Sequence, residues 1–264
     1  MDKTTIRRIK IVIVYLVIII AITSFFYWIN TSDPTCNDGK QNQSEKGIDC
    51  GGPCSPCEEV LQTEPINIQE VAFAPGGNNT YDVVARISNP NNSIGAKEFA
   101  YTFKLKDSAD TAIAVRQATS FILPGDTRYV AELGLEVVNG SVPVKVEITI
   151  ENEQWEKISG INKPQIGVYG KNFNEYQAGS GSGAEGTIRN ESSYDLKEIN
   201  AVIVLRDEKG NIVGINTTRR NSIRAKESQY FRVTWPYALE SSVQTMEVDP
   251  QANIFDSQNF SASY

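Results

Sequence analysis

The four cysteines of this chain fall in one stretch, at Cys36, Cys50, Cys54 and Cys57. An even, clustered set in a loop-rich segment with few apolar residues reads as two disulfides standing in for a core too small to form. Three pairings are open, and sequence does not choose among them. The same sulfurs, ending in C-x3-C-x2-C, could instead hold zinc as four thiolates. A second chemistry is interleaved with the first. Asp38, Asn42, Glu45 and Asp49 recur every three or four residues, and Gly39 follows Asp38. Hard oxygen ligands along a glycine-containing loop are what calcium requires, so these four are candidate calcium ligands. Their order is not that of an EF-hand, and the competing reading is a solvated loop with an Asp-Gly turn.

The chain of 264 residues contains no histidine. That removes the commonest general base and the commonest zinc ligand, and it rules out a Ser-His-Asp or Cys-His site within the chain. No pair of carboxylates stands out for acid–base work, so no catalytic residue is nominated and the expectation is a protein without enzyme activity. Net charge is −7. Phosphate backbones need clustered Lys and Arg, which argues against nucleic acid as a partner.

The elements that must position the cysteine segment begin with a membrane anchor. From Ile9 to Ile29 the chain is predominantly apolar, and after Lys10 no charge occurs until Asp33. About 20 such residues cross ~30 Å of hydrocarbon as a helix. Lys3, Arg7, Arg8 and Lys10 precede the apolar run, and Phe25, Phe26, Tyr27 and Trp28 close it at the interface. The positive-inside rule then places the N-terminus in the cytoplasm and the C-terminus outside. A cleaved signal peptide would have a shorter apolar run and a small-x-small site in place of these aromatics. An outward topology puts the cysteines in an oxidising compartment, which favours disulfides over zinc.

Asp38-Gly39, Asn42, Glu45, Asp49-Cys50-Gly51-Gly52, Cys54 and Cys57 resemble a short cysteine motif, C-x-D-G-x-x-N-x-x-E-x-x-x-D-C-G-G-x-C. The motif recurs in surface and secreted proteins of bacteria and archaea. The resemblance covers about 22 residues and implies a surface location rather than an activity.

Beyond Cys57 the hydrophobic period is two. Phe99, Tyr101, Phe103 and Leu105 point one way, and Ala100, Thr102, Lys104 and Lys106 the other, as in a half-buried strand. Ile199, Ala201, Ile203 and Leu205 repeat the pattern 100 residues later. Asp107 to Asp110 and Asp207 to Gly210 follow as matching turns. Ile87-Ser-Asn89 lines up with Ile188-Arg-Asn190, and Ile122 to Tyr129 with Ile223 to Tyr230. Each half opens with two strands around a polar loop, at about 66–73 and 80–88, then 164–169 and 184–190. A period near 100 residues fits one β-sandwich per repeat. The expected fold is all-β: two tandem immunoglobulin/fibronectin-III-like β-sandwiches behind one transmembrane helix and a small disulfide-rich knot. Almost no helix is expected past residue 30.

The repeats resemble the FxLYD and LEA14-type β-sandwich families. The matching residues are Gly186 to Asn190, Leu205 to Asp207 with Gly210, and Ile223 to Phe231 in the second repeat. In the first they are Ile87 to Asn89, Leu105 to Asp107 and Pro124-Gly125-Asp126. The second repeat departs at Ala225-Lys226, where a Pro-Gly turn would be usual. The resemblance implies a membrane-anchored protein with no enzyme chemistry.

Other segments read more simply. Trp155 falls in an expected linker, Glu151 to Lys163, and is assigned to packing between the domains. Gly179-Ser-Gly-Ser-Gly183 is a loop between two strands, with no following helix to meet a phosphate. Arg219, Arg220, Arg224 and Arg232 form a modest basic region, read as a solvated face or as a patch for an acidic partner. Eight N-x-S/T sequons occur, at Asn30, Asn42, Asn78, Asn91, Asn139, Asn190, Asn216 and Asn259.

The domain reading is a cytoplasmic stub (1–10), a transmembrane helix (11–30), a cysteine-rich knot (31–58), a first sandwich (64–152) and a second (163–256). The functional expectation is an extracytoplasmic binding, adhesion or scaffold protein, held in lipid by its helix and meeting a protein or cell-envelope polymer. The alternative is an accessory subunit of a membrane complex with the sandwiches as spacers. A carboxylate-dependent enzyme acting on glycans ranks last.

Overall fold

The computed structural model describes residues 3–30, 36–42, 44–57, 61–138, 140–158, 163–176 and 181–262. The chain divides into two compact units, residues 1–61 and 62–264.

The first unit opens with α1, Lys3–Asn30. Its stretch Thr5–Tyr27 is long and apolar enough to cross a membrane, and none of it is buried by the rest of the chain. The Thr23 hydroxyl is satisfied inside the helix: Thr23 Oγ1 is placed to donate to the carbonyls of Ile19 and Ile20, each at 3.0 Å. The side chain of Trp28, expected in the aromatic collar, lies outside the described residues, as do Asn139 and residues 177–180 of the glycine-serine loop.

The second unit is built of strands. Its first half contains β1 (Asn67–Gly77), β2 (Thr80–Ser88), β3 (Ile94–Lys106), β4 (Ala112–Ile122), β5 (Thr127–Glu136) and β6 (Lys145–Lys157). Its second half contains β7 (Ile166–Glu175), β8 (Ser182–Asn190), β9 (Tyr194–Arg206), β10 (Ile212–Ile223), β11 (Ser228–Trp235), β12 (Thr245–Gln251) and a short β13 (Phe260–Ala262). The described residues past Asn30 hold no helix. Trp155 sits on β6, opposite Ala96 of β3, and packs on the first core. It is therefore a strand residue and not part of a linker. Ser182 and Gly183, expected in a loop, begin β8.

The two halves share one topology. The first pairs β1-β2-β5 in one sheet and β4-β3-β6 in the other; the second pairs β7-β8-β11 and β10-β9-β12, with β13 added beside β9. Every one of these ladders is antiparallel. In each half the two sheets close on their own core. Val83, Ala85 and Ile87 of β2 meet Phe99, Phe103 and Leu105 of β3 in the first. Ala184 and Ile188 of β8 meet Ile199, Ile203 and Leu205 of β9 in the second.

The turn chemistry is repeated as well. Asn89 donates from Nδ2 to the carbonyls of Ile94 (2.8 Å) and Leu123 (3.0 Å), and its Oδ1 accepts from Asn91 N–H. Asn190 does the same for Tyr194 (2.8 Å) and Ile223 (3.1 Å), with Ser192 N–H as its donor. Asp107 Oδ1 accepts from Ala109 and Thr111, and Asp207 Oδ1 from Lys209 and Asn211, closing the matching hairpins. These asparagines and aspartates pin the same turns because their short polar side chains reach local backbone groups.

A third core joins the halves. The outer face of β1-β2-β5 contributes Ala74, Val84 and Tyr129, and the outer face of β10-β9-β12 contributes Val202, Val204 and Ile215. Four sheets thus stack in layers. The run Ala201-Val-Ile-Val-Leu205 is buried on both faces of β9, which is why it is continuously apolar rather than alternating. Aromatic rings from the second half seat on glycines of the first at two places. A Cβ on Gly77 would lie 2.7 Å from the Tyr237 ring, and one on Gly95 would lie 2.6 Å from Phe255. The missing side chains leave the space those rings occupy.

Candidate functional site

In the cysteine segment the disulfides are Cys36–Cys54 and Cys50–Cys57. Among the described residues no cysteine is free. Glu45, 7% exposed, lies 3.1 Å from Cys54 Sγ, and with Cys36 the three groups fall within 4.8 Å of one another. Both sulfurs are spent in a disulfide, so this group offers no thiolate to a metal. The four oxygen-bearing residues are drawn together largely through the backbone. Asp49 accepts from the N–H groups of Asp38 (2.8 Å) and Gly39 (2.9 Å), and Asn42 Nδ2 donates to Asp38 (2.8 Å). Glu45 Oε2 accepts from Asn42 N–H at 3.1 Å. These bonds close the loop on itself, a structural use of the same side chains.

The seam between the two halves carries the densest polar chemistry. Arg206 at the end of β9 donates to both carboxylate oxygens of Glu70 on β1, at 2.8 and 2.7 Å. It also donates to Glu247 of β12 (2.5 Å) and to the Tyr129 hydroxyl (3.0 Å). That hydroxyl donates onward to Glu247 at 2.9 Å. The guanidinium beside Glu70 holds its carboxyl below the usual carboxylate range.

Further along β5, an otherwise free strand edge is capped by side chains of β12. Asp249 accepts from Tyr129 N–H at 2.7 Å, and Gln251 Nε2 donates to Tyr129 C=O at 2.8 Å. Such capping removes an unpaired edge from water. Burial raises the Asp249 carboxyl, and the Tyr129 N–H partly offsets this. Arg128, 6% exposed, is pushed down to about 10 by burial. Its guanidinium lies 4.1 Å from the Phe121 ring centroid and donates to Phe121 C=O and Gln251 Oε1, while its Nε is buried without an acceptor.

Beside this network opens a cleft of about 950 Å³ between the halves. Lys97, Glu98, Thr119, Ser120 and Phe121 line it from the first half, and Lys197, Glu198, Asn200, Thr217, Thr218 and Arg219 from the second. Arg128 and Tyr129 form part of its wall. On the second-half wall three planar groups are fixed to one another. Asn200 Nδ2 donates to Glu198 at 2.7 Å, Arg219 Nε donates to Asn200 Oδ1 at 3.2 Å, and Arg219 lies 3.5 Å from the Glu198 carboxylate.

Of the basic region read from the sequence, Arg219 alone enters this cleft. Arg220 donates to Tyr230 C=O, Arg232 lies over the Tyr176 ring and donates to its hydroxyl, and Arg224 lines a separate small hollow with Asp195 and Phe260. Trp235 fills the second core with its Nε1 on Ile215 C=O, and Tyr237 packs against that core while also reaching across to Gly77 and Asp82.

Sequence reasoning missed Glu70, Glu198, Asn200 and Arg206 altogether. The available signal was the doubly buried run of β9, which announces a second covered face. The chain matches no family model, and no curated protein is significantly similar to it.

Proposed function

We propose that this chain is a membrane-tethered recognition protein, with no catalytic activity, whose two halves are immunoglobulin-like sandwiches projecting outside the cytoplasm. The observation that carries this reading is the seam. Two repeats of one topology are locked by a partly buried polar network and leave a wide polar cleft between them. A cleft walled by two rigidly joined domains is where ligands are commonly held. The apolar α1 and the disulfides of the following segment support the tether and the oxidising side of the membrane. The basic residues ahead of the apolar run support an inward N-terminus.

Two carboxylates of the cleft are already engaged, Glu198 by Asn200 and Arg219, and Glu98 by Gln154 at 3.2 Å. That arrangement supports positioning over acid–base work. The competing role, a spacer subunit of a membrane complex, is separated by comparing the intact chain with one lacking residues 3–30. Each is used to capture partners from membranes dissolved in mild detergent. The recognition reading expects the same partner with and without the helix. Partners that vanish with the helix would establish the spacer role instead.

A further inference from the structure

We propose that the seam cleft holds an uncharged, hydroxyl-rich saccharide chain, with vicinal hydroxyls taken by Glu198, Asn200 and Arg219. This rests on the recognition reading above and names its ligand class. Three observations carry it. First, the charge lining the cleft nearly cancels: Lys97, Arg128, Lys197 and Arg219 face Glu98, Glu198 and Asp256. Lys97 is paired with Glu156 at 3.4 Å and Arg219 with Glu198 at 3.5 Å. A polyanion or polycation finds no field there to repay its desolvation.

Second, the Glu198–Asn200–Arg219 cluster sets donors and acceptors side by side in one orientation. Each sugar hydroxyl both donates and accepts, so neighbouring hydroxyls are matched by an adjacent carboxylate, amide and guanidinium. Their mutual bonds hold these side chains in place before a ligand arrives, which lowers the ordering cost of binding.

Third, the facing wall offers Thr119 and Ser120, and Thr217 and Thr218 extend the second-half wall. Their hydroxyls have no partner among the described residues. Phe121 supplies the apolar surface that one face of a sugar ring needs, and the Arg128 guanidinium stacked on it fixes its plane. The volume, about 950 Å³, accommodates several sugar units rather than one.

The test uses the full chain in lipid nanodiscs, which avoids glycoside detergents. Titration calorimetry is run with neutral gluco-, manno- and galacto-hexasaccharides and with a hexamer of galacturonic acid. The variants are Arg219→Ala and Asn200→Ala, both at the cleft surface, with Lys104→Ala on a distant sheet face as control.

At least one neutral hexasaccharide should bind, and each cleft variant should weaken it roughly tenfold or more while Lys104→Ala does not. Binding of the galacturonate alone, neutral binding indifferent to both cleft variants, or binding of none of the four probes would overturn the saccharide assignment. A partner retained without residues 3–30 but lost in Arg219→Ala would overturn the saccharide while leaving recognition standing. Partners that depend only on residues 3–30 would overturn the recognition role itself.

Discussion

Arg206 and Glu70 stand 136 positions apart and meet as a two-pronged ion pair, with nitrogen–oxygen distances of 2.8 and 2.7 Å. The pair has a counterpart that shows how the stack is built. In the first half, Lys106 occupies the place of Arg206 and pairs with Glu147 at 2.9 Å, as Arg206 pairs with Glu247. The lysine reaches Asp110 as well, at 3.2 Å, but stays within its own half, whereas the forked guanidinium has donors left to reach the neighbouring half. Because the halves stack in the same sense, the two outermost faces are repeats of the faces joined in the middle. At those outer positions the apolar seam residues are replaced. Thr102 and Lys104 stand where Val202 and Val204 are buried, and Asn172 and Glu185 stand where Ala72 and Val84 are. Polar ends stop a head-to-tail interface from propagating into a filament.

The Arg206 pair should be worth measuring as a coupling. Its side chain is 14% exposed and Glu70 34%. Removing Arg206 leaves two partly exposed carboxylates without their ion pair, while the Tyr129 hydroxyl keeps Glu247, so Arg206→Ala should cost about 2 kcal/mol in urea unfolding. A double-mutant cycle with Glu70→Ala should return a coupling of about 1–3 kcal/mol. A coupling near zero would mean that the seam is held by Val202, Val204 and Ile215 alone.

Acid should act on the same pair with a defined sign. Arg206 lowers the Glu70 pKa, so the stabilisation is fully present above the unfolded value of about 4.3 and is lost as pH falls through the folded value. Asp249 runs the other way. Burial raises its pKa, so its charged form weighs against the fold as pH rises past about 3.9. Thermal melts between pH 6 and pH 2.5, compared for the native chain and Glu70→Gln, separate the two. The native chain should lose stability more steeply with acid than the variant, and parallel profiles would refute the assignment.

The repeat, the turns and the inward strand faces were legible because each follows from local pattern. Phe99 to Leu105 and Ile199 to Leu205 alternate, and Asn89 and Asn190 sit at matching turns. The seam was not legible, because a pair such as Arg206–Glu70 leaves no trace in local spacing. Trp155 misled for a related reason: the polar residues around it look like a linker, yet they form the solvent side of β6, which runs on to Lys157. The cleft depends on how two halves meet, so Glu198 and Asn200 read as ordinary strand-surface residues until that packing is known.

A glycine pair isolates the aromatic clasp. Gly77 (φ +78°) and Gly210 (φ +84°) both hold a left-handed backbone, but only at Gly77 would an added Cβ meet a neighbour, the Tyr237 ring at 2.7 Å. Gly210→Ala should cost about 1 kcal/mol for backbone strain alone. Gly77→Ala should cost at least ~1 kcal/mol more, because the ring must leave its seat. The excess should disappear in a Tyr237→Ala background. Equal costs for the two glycines would show that Tyr237 contributes nothing to the seam.

The matched asparagines give a test of whether the two halves unfold as one. Asn89 and Asn190 each satisfy two backbone carbonyls while 3% and 0% exposed. Alanine at either site leaves those carbonyls without their donor, at a cost of about 2–3 kcal/mol. Aspartate should be no better, since it keeps the shape but cannot donate when ionised. If the seam couples the halves, Asn89→Ala and Asn190→Ala should each shift a single urea transition of unchanged slope. Signals from Trp155 in the first half and Trp235 in the second, each followed in a variant with the other two tryptophans, Trp28 included, replaced by phenylalanine, should then move together. Two transitions, with only the mutated half moving, would show that the polar network and apolar seam dock domains that fold independently.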